Sequence, residues 1–219
     1  MKTPDKLQTI LILCFLTGVS TVSPGCVQLP KRFPEIKTYV LDLKAGEHKP
    51  YTGTPVSIRL KPFTALPEFS DRYLIYRTTE TNYESDFYNQ LMTSPAAMVK
   101  EQAERWLKSS PWVRFIADTD FAASPHYVLN GKLLEFYGDY RRDSEPAAVL
   151  NLEWTVSHVR GGKTTILFQK IYSQSVPLPA ISPRALVEGW GAGFGRIMAD
   201  FEADFEQRLA KSSETPPAV

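Results

Sequence analysis

Cys26 is the residue whose type and position most clearly invite chemistry. It closes Val22-Ser23-Pro24-Gly25-Cys26, just after an unbroken apolar run from Ile10 to Leu16, with Lys2 and Lys6 ahead of that run. A basic start, a short apolar stretch and small residues before a cysteine form a bacterial lipoprotein signal, so cleavage would leave a lipidated Cys26 as the first residue. Ordinary secretory cleavage is the rival reading, because Ser23 and Gly25 also meet the small-residue rule, and Ser23 stands where a lipobox usually has Leu. A membrane-spanning helix is not expected: residues 7–22 would reach about 24 Å, short of a hydrocarbon core of about 30 Å. The second cysteine, Cys14, lies in the discarded stretch, which leaves no disulfide and one thiol that a thioether-linked lipid would protect. Two or more acyl chains anchor stably, at about 0.8 kcal/mol per buried methylene. Val27, not Asp, follows the cysteine, which for lipoproteins of the enteric type implies sorting to the outer membrane.

The remaining reactive residue types form no motif. His48, His126 and His158 lie far apart, and neither a GxSxG elbow nor HExxH occurs. Asp118-Thr119-Asp120 has the spacing that opens a calcium loop but lacks its glycine and closing glutamate, so it reads as a turn. Gly189, Gly191, Gly193 and Gly195 alternate, yet Phe194 replaces the third glycine of a GxGxxG and no Lys-Ser/Thr follows. Close backbone packing on a sheet or a neighbouring subunit accounts for them better, a helix starting nearer Arg196 being the other option. Glu84 with Asp86, and Asp200 with Glu202, read as solvated acidic faces. No enzyme activity, cofactor or metal is expected.

Of 219 residues, 25 are Lys or Arg and 24 Asp or Glu; removal of Lys2, Lys6 and Asp5 with the signal leaves the charges balanced. A phosphate-backbone binder needs a clustered basic surplus, so nucleic acid is not an expected partner. The length suits one domain. The chain divides into a signal peptide (1–25), a lipidated, Pro-containing tether (26–35), a folded domain (36–211) and a disordered tail (212–219). At about 3.3 Å per residue, the nine tether residues after Cys26 reach at most roughly 30 Å, which keeps the domain beside the membrane.

The elements follow from pattern. Strands are expected over residues 36–43, 56–60, 73–77 and 112–117, with 82–91 ambiguous. Ser94 and Pro95 open a helix through Lys108 with Ala97, Val99, Ala103, Trp106 and Leu107 as its apolar stripe, and Pro111 stops it. Three longer strands (126–140, 149–160, 164–176) form an antiparallel meander with one wet face, turned at Gly161-Gly162. Ser182 and Pro183 begin a last helix whose Leu186, Trp190, Phe194, Ile197, Phe201, Phe205 and Leu209 recur at threes and fours, with Glu202, Asp204, Glu206 and Arg208 largely opposite. The expected class is α/β (α+β): a two-layer, mainly antiparallel mixed sheet covered by two principal helices.

Tyr39-Val40-Leu41 after Cys26, Leu74-Ile75-Tyr76-Arg77, Phe87-Tyr88 ahead of the Pro95 helix, residues 129–136 and the C-terminal helix together resemble the ABC-type transport auxiliary lipoproteins, the Pqi-type lipoproteins that accompany MCE-domain lipid transporters. The likeness covers most of residues 39–209; where the family tends to carry Trp after Tyr88, this chain has Asn89-Gln90-Leu91. The resemblance implies a domain similar to the amino-terminal domain of TolB-like proteins. It also implies a non-catalytic periplasmic role at the outer membrane, beside an MCE-domain protein, a permease and an ATPase. A homo-oligomer would match the rings that MCE proteins form. Candidate packing or partner surfaces are Tyr73, Tyr76 and Arg77, and Gly189, Trp190, Gly191 and Gly193. The alternative is an envelope-stability lipoprotein that binds another protein or peptidoglycan without moving lipid.

Overall fold

A computed structural model describes residues 34–42, 48–117 and 125–214. Cys26, the signal, most of the tether and Asp118-Thr119-Asp120 lie outside the described residues. The described chain contributes nine strands to one mixed sheet: β1 Lys37–Tyr39, β2 Val56–Leu60, β3 Thr64–Ala65, β4 Tyr73–Arg77, β5 Tyr83–Leu91, β6 Val113–Ile116, β7 Tyr127–Asp139, β8 Ala147–Arg160 and β9 Lys163–Pro177. Two α-helices, α1 Pro95–Ser109 and α2 Pro183–Glu214, form the second layer. This is the expected two-layer α/β class, and the three longest strands make the expected antiparallel meander.

The hairpin between β8 and β9 turns on Gly161 and Gly162, whose φ values of 56° and 78° suit a primed two-residue turn. β7 organises the rest. One of its edges pairs along its whole length with β8, and the other carries β2, β3 and β4 in succession, all parallel to it. β6 then adds to β2, β5 to β4, and β1 to β5.

Both helix starts match their sequence signals: Ser94 Oγ accepts from the Ala97 N–H, and Ser182 Oγ from that of Ala185. Several expectations change. Ala97 is exposed, and Ala96 and Met98 take its place in the buried stripe of α1. The first strand is cut to three residues, the ambiguous 82–91 stretch is β5, and α2, which begins at Pro183 as expected, extends to Glu214, past the expected start of the tail. The wet face of the sheet is partly covered. Phe136 and Tyr137, consecutive on β7 and so on opposite faces, are both buried. Phe136 lies under Trp190 with ring centroids 3.8 Å apart, and Tyr137 is stacked by Phe69 of a single 3₁₀ turn and met edge-on by Tyr83.

The apolar stripe of α2 is buried along its predicted length. Phe201 stacks on Trp154 at 4.4 Å and Phe205 meets Trp112 edge-on at 4.8 Å. The glycines let the helix come this close. A methyl at Gly189 would stand 2.5 Å from Leu178 Cδ2 and 2.8 Å from Ala148 Cβ; at Gly193 it would meet Val176 and Gln174 at 3.2 and 3.3 Å, and at Gly191 the Asp42 carbonyl at 3.0 Å.

These distances reverse the effect that helix propensity alone would predict. In an open helix Gly→Ala gains about 1 kcal/mol, whereas forcing a methyl into a filled core costs about 1–3 kcal/mol. Gly189→Ala should therefore lower the urea-unfolding stability of the full chain, by up to about 2 kcal/mol, since Ala148 Cβ is fixed to the β8 backbone. A gain in stability would mean that α2 does not bear on the sheet at Gly189.

Candidate functional site

Two polar constellations stand out, one inside the domain and one at its edge. The inner one corrects the expectation for Glu202. Instead of facing water it is 7% exposed, turned from α2 toward α1 and the start of β6. Its carboxylate accepts from Trp112 Nε1 at 2.6 Å and Trp106 Nε1 at 3.3 Å, and His48 Nδ1 lies 3.1 Å from Oε2. Two aromatic residues chosen for burial each carry a donor that must be paired, and Glu202 pairs both. Burial and the Glu202 charge together push Glu206 above the usual carboxylate range.

His48 Nε2 also lies 2.8 Å from Ser109 Oγ, which aligns Ser109, His48 and Glu202 in the connectivity of a hydrolytic triad. No sequence motif marks it, because its members come from a loop, the end of α1 and the middle of α2. Its surroundings suit a structural tie. Ser109 Oγ already donates to the Trp106 carbonyl at 2.8 Å. Ser109 is also in the last turn of α1, where carbonyl oxygens rather than N–H groups point outward and would oppose an oxyanion. No group of three or more His, Cys, Asp or Glu placed to hold a metal ion occurs among the described residues.

The outer constellation shapes the sheet edge at β4, β5 and β1. Leu74 pairs with Asp86 but Tyr73 with Gln90, so Phe87, Tyr88 and Asn89 are extra residues on β5. Two polar side chains hold this bulge. Asp86 accepts from the N–H groups of Tyr88 and Asn89, both at 3.0 Å, from Asn89 Nδ2 at 2.8 Å and from the Tyr76 hydroxyl at 2.8 Å. The buried Gln90 side chain donates to the Phe87 carbonyl at 2.8 Å, and Tyr39 of β1 donates to Asn89 Oδ1 at 3.0 Å. The bulge throws Phe87 (59% exposed) and Tyr88 (44%) outward, with Tyr73 stacked against Phe87 at 5.9 Å. Ile36, Val40 and Met92 along β1 and the end of β5 are also large, apolar and exposed. Burial raises the pKa of Asp86, but the four hydrogen bonds to its ionised form outweigh burial and bring it below its ordinary value; the Tyr76 hydroxyl is pushed up by burial and by Asp86.

The remaining candidates do not gather into one site. Tyr76 stacks on Tyr140 at 5.1 Å inside the edge network, and Arg77 sits over Tyr83 at 5.5 Å and bonds to Glu80 beyond it. Trp190 is a core residue whose indole donates to the Val149 carbonyl at 3.1 Å. Gly189 and Gly193 face β8, β9 and the residues just after β9. Gly191 faces Leu41 and Asp42, just after β1, and lines, with Tyr39, Val40, Ala192, Gly195 and Ala199, a groove of about 940 Å³ beside α2. No sequence signal marked this groove, since it depends on β1 lying beside α2.

No family model and no curated protein matches this sequence. Solved structures do. A crystal structure of a Xanthomonas campestris protein of family DUF330 superposes with a TM-score of 0.69 at 14% identity, over 82% of this chain and all of that one. A crystal structure of an uncharacterized protein gives 0.62 at 14% identity over 78% of this chain and 99% of that one. A hypothetical protein from Chlamydia trachomatis gives 0.50 at 16% identity over 71% and 98%. At these identities the likeness is one of fold.

Each constellation makes a prediction. Glu202→Leu strands two buried indole N–H groups at about 1–3 kcal/mol each, so urea unfolding followed by tryptophan fluorescence should show a loss of about 2–5 kcal/mol; an unchanged midpoint would make the three contacts incidental. Asp86 should control the bulge through its charge. A carboxyl whose folded pKa is depressed stabilises fully above its unfolded value of about 3.9 and loses that effect as the pH falls through the folded value. Hydrogen-exchange protection of the Tyr88 and Asn89 amides, corrected for intrinsic rates, should thus hold from neutral pH down to about 4 and collapse below it. Asp86→Ala should remove it at every pH; protection unaltered in Asp86→Ala would show that the bulge holds itself.

Proposed function

We propose that this chain is a non-catalytic, lipid-anchored envelope subunit that docks an MCE-domain lipid transporter, with its permease and ATPase, at the periplasmic face of the outer membrane. The observation that carries the docking role is the free edge of β1. Among the described residues β1 pairs with β5 alone, and Tyr39 turns its carbonyl inward to the Met92 N–H at 2.9 Å. By strand alternation the backbone groups of Thr38 and Val40 face outward, beside the groove against α2. An open edge flanked by a groove is the surface on which a partner adds a strand and seats alternate side chains. Anchoring is supported by the Cys26 signal, and no helix among the described residues is long and apolar enough to cross a membrane.

Two measurements test the reading. A photoreactive residue in place of Thr38 or of Ala192, both exposed, should crosslink in intact cells to an MCE-domain protein. Adducts at neither position, with normal protein levels, would overturn docking at this edge. Cys26→Ser should leave an unprocessed or soluble chain by fractionation and mass spectrometry, because no other residue can accept the lipid. Membrane retention of a processed, unlipidated chain would overturn the anchoring.

A further inference from the structure

From the β5 bulge we infer a second membrane contact: Phe87, Tyr88 and Ile36 seat in the lipid surface that holds the Cys26 anchor, fixing the orientation of the domain on it. This rests on the anchoring reading above. Phe87, Tyr88 and Ile36 are 59%, 44% and 53% exposed. They fall together because β1 and β5 run parallel with Lys37 opposite Asn89, which sets Ile36 beside Tyr88, while the Phe87 and Tyr88 rings meet edge-on at 5.6 Å. Exposed apolar groups in a contiguous patch mark a protein or membrane contact rather than ordinary surface. This patch is also a constructed one. Asp86 and Gln90 use five hydrogen bonds to hold the bulge that turns the two rings away from the core.

The position of the patch along the chain selects the lipid surface as its occupant. Ile36 is ten residues after Cys26, so a lipid on that cysteine is never more than about 35 Å of extended chain from the patch. A surface already within reach costs little to engage, since the anchor has removed most of the translational freedom of the domain. The side chains suit an interface: Tyr73 and Tyr88 combine an apolar ring with a hydroxyl that stays in water, and Phe87 supplies a purely apolar ring between them. Lys37 and Arg72 flank the patch as exposed cations, and Glu35 and Asp71 as exposed anions, so seating depends on apolar burial and not on net charge. Docking through β1 leaves the patch available, because Thr38 and Val40 present backbone groups along the sheet plane whereas Phe87 and Tyr88 project from the bulge.

The mature chain has no thiol besides that of Cys26, which allows a single reporter. The full chain carrying Phe87→Cys or, separately, Tyr88→Cys is expressed, processed, spin-labelled and reconstituted into phosphatidylethanolamine–phosphatidylglycerol vesicles. Ile166→Cys, more exposed than either and on β9 by the distant hairpin, is the reference. Mass spectrometry of Cys26 is read on the same samples. With Cys26 lipidated, labels at 87 and 88 should collide several-fold more with oxygen, relative to a water-soluble nickel chelate, than the label at 166, and the ratio should persist in high salt. Water-like ratios at both positions would overturn the inference and leave anchoring intact. Exclusion of both collision agents would also overturn it, by showing that a second copy of the chain covers the patch. An unlipidated Cys26 would instead remove the anchoring reading, and the argument from chain reach with it.

Discussion

The close seating of α2 on the sheet is the constraint on which the rest of the domain depends. At Gly189 there is no room for a methyl, and one turn on, at Gly193, barely enough. This proximity brings Trp190 into full stacking contact with Phe136 and Phe201 with Trp154, so the long meander is covered by rings that lie flat against rings. It also carries the Glu202 carboxylate to both Trp106 and Trp112, joining α2 to α1 and to the start of β6. A carboxyl buried this deeply is tolerated because two indole N–H groups donate to it and the His48 ring lies within hydrogen-bond distance. Gly189, Gly191 and Gly193, each a cost in an isolated helix, are offset by the area that their absence of side chains allows to be buried.

The edge formed by β1, β4 and β5 obeys a different rule. Here polar side chains hold apolar ones out of the core instead of helping to bury them. Asp86 collects four hydrogen bonds to stabilise a bulge whose main product is the exposure of Phe87 and Tyr88. Bulges at sheet edges commonly re-aim side chains in this way. Together with the unpaired side of β1 and the groove beside Gly191, this puts an open backbone edge, a groove and exposed rings along one border, the one that holds the first strand of the described chain.

The Ser109–His48–Glu202 alignment has the connectivity of a triad in the surroundings of a structural tie. Hydrolysis needs donors aimed at the charge that develops on the substrate, and the end of α1 presents carbonyl oxygens there instead. The same three residues are well suited to pinning a loop against two helices, since His48 also meets Trp106 edge-on at 5.2 Å.

Much of the architecture was legible in local pattern. Gly161-Gly162 demanded a primed turn, the alternation of Leu150, Leu152, Trp154 and Val156 gave β8 a buried face, and the spacing from Leu186 to Leu209 named the face of α2 that meets the sheet. The reading of Cys26 as a lipidation signal likewise rests on sequence alone. What the sequence could not reveal were the relations between elements distant along the chain. Glu202 lay on the predicted polar side of α2, and only the placement of two indoles from α1 and the residue before β6 made burial favourable. Asp86 read as one more solvated carboxylate until the register of β4 against β5 forced three residues out of line. Periodicity reports which face of an element is apolar, because that depends on the geometry of a single helix or strand. Which donor meets which acceptor depends on how separate elements are brought together, and that is decided by the packing of the whole domain.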